Sequence, residues 1–350
     1  MTETAVEFLN VSKRYGPVAV AVDGVSFGIK RGTLVTLLGP SGCGKTSTLR
    51  LIAGLEQATS GKIKIGGADV THLSAAERDV SMVFQSYALF PHMTVLENVC
   101  YGLRASGIKR PAAEAAASDK LGKVGLAGFE RRLPSELSGG QQQRVAVARA
   151  IVLEPQVLLF DEPLSNLDAK LRRQVREDIR ALQQELRLTV VYVTHDQEEA
   201  LAVSDRIIVM HSARIVQDGT PRDLYEQPAN AFIADFIGNA NLIPVTLGPD
   251  NRVQMGQTVL HLPHRTLPPG PARLAVRPNG LLLRRDDEPG DIMGRIDKAA
   301  YLGGHMEYEV TLHDVTGTVL VTDSNVATPF LPGNSVSIRI QPDAAAVVPA

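Results

Sequence analysis

Two cysteines in 350 residues, Cys43 and Cys100, are too few for a disulfide framework, and a reducing compartment is the simplest setting. An excess of one charge is missing too. Thirty-six Lys and Arg stand against 38 Asp and Glu, a formal net charge of −2. That balance gives no basis for a polyanion-binding surface and speaks against nucleic acid as a partner. No apolar run approaches the ~20 residues needed to span a bilayer; VLLF at 157–160 is typical of the longest. The first ten residues, MTETAVEFLN, lack a basic stretch followed by an apolar one, so no secretory leader is expected. No repeated unit, low-complexity tail or sustained heptad run is found. What remains is an ordinary composition, 44% apolar and 21% charged, in a chain long enough for two domains.

The pattern along the chain changes twice. Residues 4–30 read as short strands carrying Val6, Phe8 and Val11, then Val22, Val25 and Phe27. TLVTLLG (33–39), VLLFD (157–161) and TVVYVTH (189–195) are apolar runs suited to buried parallel strands, with IIVM (207–210) as a fourth. Thr46 to Ala53 reads as a helix, and so does 167–186, where Leu167, Leu171, Val175, Ile179, Leu182 and Leu186 recur at three and four residues. Alternating strands and helices predict a mostly parallel sheet covered on both faces. From about 86 to 135 an alanine-rich, strand-free stretch reads as a helical insertion. Beyond about 240 short alternating strands predict a small β-barrel or sandwich, with LPHRTLPPGPAR (262–273) as a boundary or long turn.

GPSGCGKT (39–46) lies between a predicted strand and a predicted helix, the setting of a phosphate-binding loop. Its glycines let backbone N–H groups converge on phosphate oxygens, and the helix start adds partial positive charge. Lys45 would reach the β and γ phosphates, and the Thr46 hydroxyl would ligate Mg²⁺. The strand at 157–161 ends in two carboxylates. Asp161 suits the Mg²⁺ shell and Glu162 suits polarising a water, whereas a solvated acid pair in a turn is the plainer alternative. His195 also ends a buried strand. A lone histidine is usually a surface or core residue, but beside these groups it could hold the attacking water. Gln85, after MVF (82–84), would give a neutral ligand to Mg²⁺ or water if it is not simply a surface glutamine. LSGGQQQRVAVARA (137–150) puts two glycines and three glutamines where a helix should start and a cap is expected. Ser138, Gly139 and Gly140 would form a second anion site there, one without a lysine. Two phosphate-type sites and one complete nucleotide loop suggest two chains packed head to tail, each closing the other's site.

Together these segments resemble the ATP-binding subunit of an ATP-binding-cassette (ABC) transporter. Gly39, Pro40, Ser41, Gly42, Cys43, Gly44, Lys45, Thr46 and Ser47 resemble its Walker A loop. Leu137, Ser138, Gly139, Gly140 and Gln141 resemble its signature, and VLLFDE its Walker B strand. Gln85 matches the Q-loop, SNLD (165–168) with Asp168 the D-loop, His195 the switch histidine, and Tyr15 the aromatic that stacks on adenine. The segments RLAVRP (273–278) and GRIDKAAYLGG (294–304) resemble, more loosely, the OB-like (TOBE) domain of importer ATPases.

The resemblance implies an α/β fold, a P-loop NTPase cassette at 4–238 with a helical subdomain at about 86–135, followed by an all-β OB-like domain at 240–350. It implies ATP and Mg²⁺, the latter held by Thr46, Gln85 and Asp161, and catalysis by Glu162 and His195. It implies two copies sandwiching two ATP molecules, with Ser138, Gly140 and Gln141 acting in trans. The further partners implied are two transmembrane permease subunits and a periplasmic or extracellular solute-binding protein, with the chain peripheral on the cytoplasmic face of the inner membrane. SYALFPHMTV (86–95) would receive a permease helix, and Tyr87, Leu89, Phe90 and Pro91 either form that socket or pack inside the insertion. Asn166 replaces the alanine or glycine of many relatives. Cys43 either sensitises the loop to oxidation or packs inertly. LRRQVRED (171–178) and the short tail are most like ferric-iron importers. Importers of polyamine (spermidine or putrescine), 2-aminoethylphosphonate, sulfate and sugar compete, and a soluble non-transport ATPase acting on nucleic acid or the ribosome is more remote.

Overall fold

Apolar runs with β-branched residues and no polar alternation fit strands buried on both faces, and the computed structural model shows them so. It describes residues 4–262, 267–286, 290, 292–313 and 315–350. They fall into two compact units, Met1–Pro221 and Arg222–Ala350.

The first unit begins with β1 (Thr4–Tyr15), β2 (Ala19–Lys30), β3 (Leu34–Leu38), α1 (Lys45–Ala53), β4 (Ser60–Ile65), β5 (Ala68–Asp69) and β6 (Val80–Val83). It continues with α2 (Val95–Ala105), α3 (Arg110–Lys123), α4 (Gly139–Ile151), β7 (Val157–Asp161), α5 (Ala169–Leu186), β8 (Val190–Val193), α6 (Gln197–Val203), β9 (Arg206–His211) and β10 (Arg214–Gly219). A six-stranded sheet runs β10-β9-β3-β8-β7-β6, parallel except for β10. Successive residues of its strands feed opposite faces. Leu34, Leu158 and Val190 join the core under α2–α5, whereas Val35, Leu159 and Val191 join the core under α1, β1 and β2.

β1 and β2 are twelve-residue strands, not the short ones expected. Their pairing shifts register between Phe8 and Val11 and again at Lys13, with Asn10 at φ 52° and Gly24 at φ 60° nearby. These irregularities break the period-two pattern and make one long hairpin read as fragments. The long helix starts at Ala169 rather than at 167, because the Asp168 side chain accepts from the Leu171 N–H and caps it.

In the second unit, strands 241–247, 252–255, 258–261, 270–276 and 345–349 form one five-stranded sheet. A second contains 281–285, 292–301, 306–312, 318–323 and 335–340. Leu274, Tyr308, Val310 and Ile338, from both sheets, share one core. The expected boundary at 262–273 is only partly a turn. Its last four residues belong to the strand Gly270–Val276, which pairs with Asn241–Leu247. Pro271 pairs with Thr246 on one side, and pairing with the strand Ala345–Pro349 on the other begins only at Ala272; residues 263–266 lie outside the described set.

Candidate functional site

The parallel strands place four sequence features side by side. β3, β8, β7 and β6 are consecutive neighbours, paired through Leu37–Val193, Val193–Asp161 and Phe160–Val83. Their carboxyl ends lead into Gly39, His195, Glu162 and Gln85, respectively. That edge of an open α/β sheet is where ligands bind.

At the end of β3 the chain takes positive φ at Gly39 (152°), Gly42 (77°) and Gly44 (108°). A Cβ on Gly39 would lie 2.1 Å from the Met210 carbonyl oxygen, and one on Gly44 would lie 2.2 Å from that of Ala21. Only glycine permits this cradle. Pro40, Thr46 and Ser47 are half-buried, and Ser41 is exposed. Lys45 is buried, and its Nζ donates to the carbonyls of Gly39 (2.7 Å) and Pro40 (2.9 Å). Gly44 caps α1 with no side-chain hydrogen bond, so the first N–H groups of the helix stay available. Cys43 is buried, and burial pushes its thiol up against the opposing pull of Lys45, the inert-packing alternative. Tyr15 is 44% exposed, with the Lys13 ammonium 4.8 Å from its ring. It pairs with Ala19, two residues from the Ala21 carbonyl that abuts Gly44.

Asp161 ends β7 half-buried. Burial pushes its carboxyl above the ordinary range, with Arg50 opposing and Glu162 adding. Glu162 adopts φ 45°, a left-handed turn uncommon outside glycine. Its N–H donates to the Val193 carbonyl at 3.0 Å, extending the ladder by one bond. Its carboxylate then turns to His195, Oε2 standing 3.0 Å from Nδ1. A left-handed turn at Glu162, not a regular strand step, separates the two acids.

Behind His195, the Thr194 hydroxyl (2.7 Å) and the Tyr192 hydroxyl (3.2 Å) donate to the buried Glu199, whose carboxyl burial pushes up. Arg172 donates to the Leu167 carbonyl at 3.0 Å, and its guanidinium also approaches Asp196 (3.6 Å) and Glu199 (3.9 Å). It ties segment 165–168 to the turn carrying His195. The sequence offered Arg172 only as a mark of subclass, since no local pattern announces such a bridge. Asn166 likewise donates to the Gln85 carbonyl at 3.0 Å, linking two segments 81 residues apart.

The start of α4 corrects one reading. The helix has a cap: Gln141 N–H donates to Ser138 Oγ (3.4 Å) and Ser138 N–H donates to Gln141 Oε1 (3.0 Å). This capping box was visible as S-x-x-Q. The glycines answer to packing. A Cβ on Gly139 would stand 3.0 Å from Leu167, and one on Gly140 would stand 2.8 Å from Leu171. Ser138 remains exposed, and Leu137 is buried. Tyr87 is buried as well, not exposed as a socket residue. It sits at φ 61°, and Arg149 donates to the carbonyls of Tyr87 (2.8 Å) and Ala88 (2.7 Å), turning the ring into the helical core. Leu89 and Phe90 are half-buried, and Pro91 is exposed.

Among the described residues no three His, Cys, Asp or Glu side chains cluster into a metal site of their own. Thr46, Gln85 and Asp161 offer one carboxylate and two neutral oxygens. That set suits Mg²⁺, which keeps waters and shares substrate phosphates.

A glycine cradle after one parallel strand and an acid pair after the strand two places along the sheet define a phosphate-loop nucleotide-binding fold. The ABC transporter family model matches residues 22–165, and the TOBE domain model matches 274–348. The chain is 58% identical over 340 residues to the Fe(3+) ions import ATP-binding protein FbpC of Rhizobium etli, covering 96% of this chain and 95% of that one. It is 56% identical to the protein of the same name in Brucella abortus, covering 98% of each. Among solved structures it resembles the ATP-binding cassette MJ0796, a dimer in a post-hydrolysis state bound to ADP and Pi. That likeness has a TM-score of 0.55 at 33% identity and covers 62% of this chain and 99% of that one. CbiO1 of Clostridium perfringens, part of the ABC transporter complex cbiONQ, matches with a TM-score of 0.60 at 25% identity, over 64% of this chain and 92% of that one. The chain belongs to the ATP-binding subunits of ABC transporters.

Proposed function

We propose that the chain hydrolyses ATP to drive ferric-iron uptake, as one of two copies beneath a bacterial permease. The observation that carries this is the alignment of the Gly39 loop, Glu162, His195 and Gln85 on consecutive strand ends. The solute follows the relatives named as Fe(3+) importers over nearly the whole length.

In this reading Lys45, the loop N–H groups and the α1 start bind the β and γ phosphates, and Tyr15 stacks on adenine. Thr46, Gln85 and Asp161 hold Mg²⁺, which neutralises phosphate charge when bound. Glu162 orients a water and takes its proton, while His195, 3.0 Å away, fixes the carboxylate and faces the γ-phosphate. Leu137 to Gln141 of a second copy close the site, with Asp168 positioning that contact through its helix cap. The dimeric cassette bound to ADP and Pi supports the paired arrangement. Two transmembrane permease subunits and a solute-binding protein complete the assembly, placing this chain on the cytoplasmic face of the inner membrane. No helix among the described residues is long and apolar enough to cross a membrane.

Glu162→Gln is expected to keep ATP binding and lower turnover by roughly 10²–10⁴-fold. Ser138→Arg is expected to spare nucleotide binding and abolish ATP-driven dimerisation. Unchanged hydrolysis at high dilution, where only monomer exists, would defeat the paired site. In proteoliposomes with the cognate permease and binding protein, ferric iron should stimulate hydrolysis. Stimulation by a polyamine or sulfate in its place would reassign the solute.

A further inference from the structure

The Arg172 guanidinium stands between two segments that flank Glu162, and it holds them unequally. On one side Nη2 donates to the Leu167 carbonyl at 3.0 Å. On the other it faces two carboxylates beyond the end of β8. Nη1 lies 3.6 Å from Asp196 Oδ2, and Nε lies 3.9 Å from Glu199 Oε1. Both are ion-pair distances, longer than a hydrogen bond. Nε is buried and has no hydrogen-bond partner. Buried donors are nearly always paired, so the exception asks for a reason.

Glu199 is 4% exposed, and its Oε2 accepts from the Thr194 and Tyr192 hydroxyls while Oε1 faces Arg172. A carboxylate buried to that depth needs a cation opposite it. The Thr194 hydroxyl in turn accepts from the Asp196 N–H at 3.0 Å, so the Glu199 carboxylate anchors both residues that flank His195. Arg172, Asp196 and Glu199 line one cavity of about 60 Å³ together with Glu162, Ser165 and His195. Bringing Nε within hydrogen-bond reach of Oε1 takes a shift of about 1 Å. Because Nη2 is bonded to Leu167, such a shift carries segment 165–168 with it.

We propose that Arg172 is a positioning residue for hydrolysis, coupling the place of segment 165–168 to the place of His195 beside Glu162 through the buried Glu199. The inference rests on the reading of Glu162 and His195 as the hydrolytic pair. Moving the segment toward the turn closes the Arg172–Glu199 contact. That fixes Thr194 and Asp196, and with them the His195 ring, 3.0 Å from the Glu162 carboxylate. Moving it away opens the contact and leaves the turn held by hydroxyls alone. Asp168, the cap of α5, ends the same segment, so a second copy pressing on it would act through Arg172. The polar partners of Arg172 among the described residues are Leu167, Asp196 and Glu199, none of them in the 39–47 loop. Nucleotide binding therefore stays outside this coupling.

Steady-state ATPase kinetics and nucleotide titration on the full chain test it. Arg172→Met should lower kcat roughly ten- to a hundredfold with KM and ATP affinity unchanged. Glu199→Gln removes the charge that Arg172 answers but keeps an oxygen for the hydroxyls, and in that background Arg172→Met should cost less than about threefold. Losses that simply multiply overturn the coupling, as does a matching loss of ATP affinity or an unchanged kcat in Arg172→Met. Should Arg172→Met fold poorly, Arg172→Lys keeps the charge but cannot span the Leu167 carbonyl and Glu199 together. It should show the same fall in kcat at constant KM, and an unaltered kcat there overturns the proposal. Glu162→Gln separates this inference from the reading beneath it. Hydrolysis lost in Glu162→Gln but intact in Arg172→Met defeats the coupling alone, whereas full hydrolysis in Glu162→Gln defeats both.

Discussion

Two helices of the first unit start in glycine-rich segments, and they use glycine for different reasons. At α1 the backbone itself is the demand. Gly39 and Gly44 hold positive φ, and the atoms nearest their missing Cβ are backbone carbonyl oxygens of Met210 and Ala21, with Cys43 Sγ also close to Gly39. At α4 neither Gly139 nor Gly140 has positive φ, and the crowding atoms belong to the side chains of Leu167, Leu171 and Val175. α1 has no side-chain cap and a buried lysine inside its loop, whereas α4 carries a complete capping box. One end is built so that N–H groups and an ammonium converge inward. The other is a finished helix whose start packs closely on the segment before α5. Both glycine pairs look like anion sites in sequence, but only the first has the unsatisfied N–H groups and charge of one within a single chain. That asymmetry is what a site completed by a second copy would show.

The comparison breaks most sharply at Gly44. Gly44→Ala forces a Cβ against a backbone carbonyl at positive φ, and a loss of about 3 kcal/mol or more is expected, with nucleotide binding abolished. Denaturant unfolding and nucleotide titration read both, and no side-chain truncation should rescue it. Gly140→Ala meets side-chain atoms only, of Leu171 and Val175, and should cost about 1–3 kcal/mol. Here Leu171→Ala should relieve the clash, giving a favourable coupling energy in a double-mutant cycle. Additivity of the two changes would mean the glycine serves something other than packing. Ser138→Ala should cost about 1 kcal/mol by removing the cap, and Ser138→Gly only a few tenths. Thermal unfolding separates these smaller effects, and equal losses for the two variants would deny Ser138 its capping role.

The strands of the central sheet were legible because a strand buried on both faces must be apolar throughout. β3, β7 and β8 fall within the predicted runs. The long helix was legible through its three-and-four spacing, and only its start moved, where Asp168 acts as cap. The hairpin β1–β2 was harder, because register shifts erase the alternation that marks a strand. Gly270 to Arg273 read as part of a turn because Pro268, Pro269 and Pro271 crowd the segment, yet the chain resumes pairing at once. The sequence left Tyr87 open between socket and core, because φ at a single residue, +61°, decides which way a ring faces.

Sequence alone determined which residues could bind phosphate, metal and water, since those roles depend on residue type and local spacing. Glycine at three positions, a lysine at the helix start and an acid pair at a strand end carry that chemistry wherever the chain puts them. Tertiary structure alone decided that the four strand ends are neighbours, since strand order is a long-range property. It decided too that Glu162 meets His195, through a left-handed turn and a bond to Val193. Arg172, Asn166 and Arg149 found their partners in the same way, across segments the chain joins only by folding. Gln143 is the clearest case. Nothing in LSGGQQQR separates its third glutamine from the other two, and only packing buries that one amide.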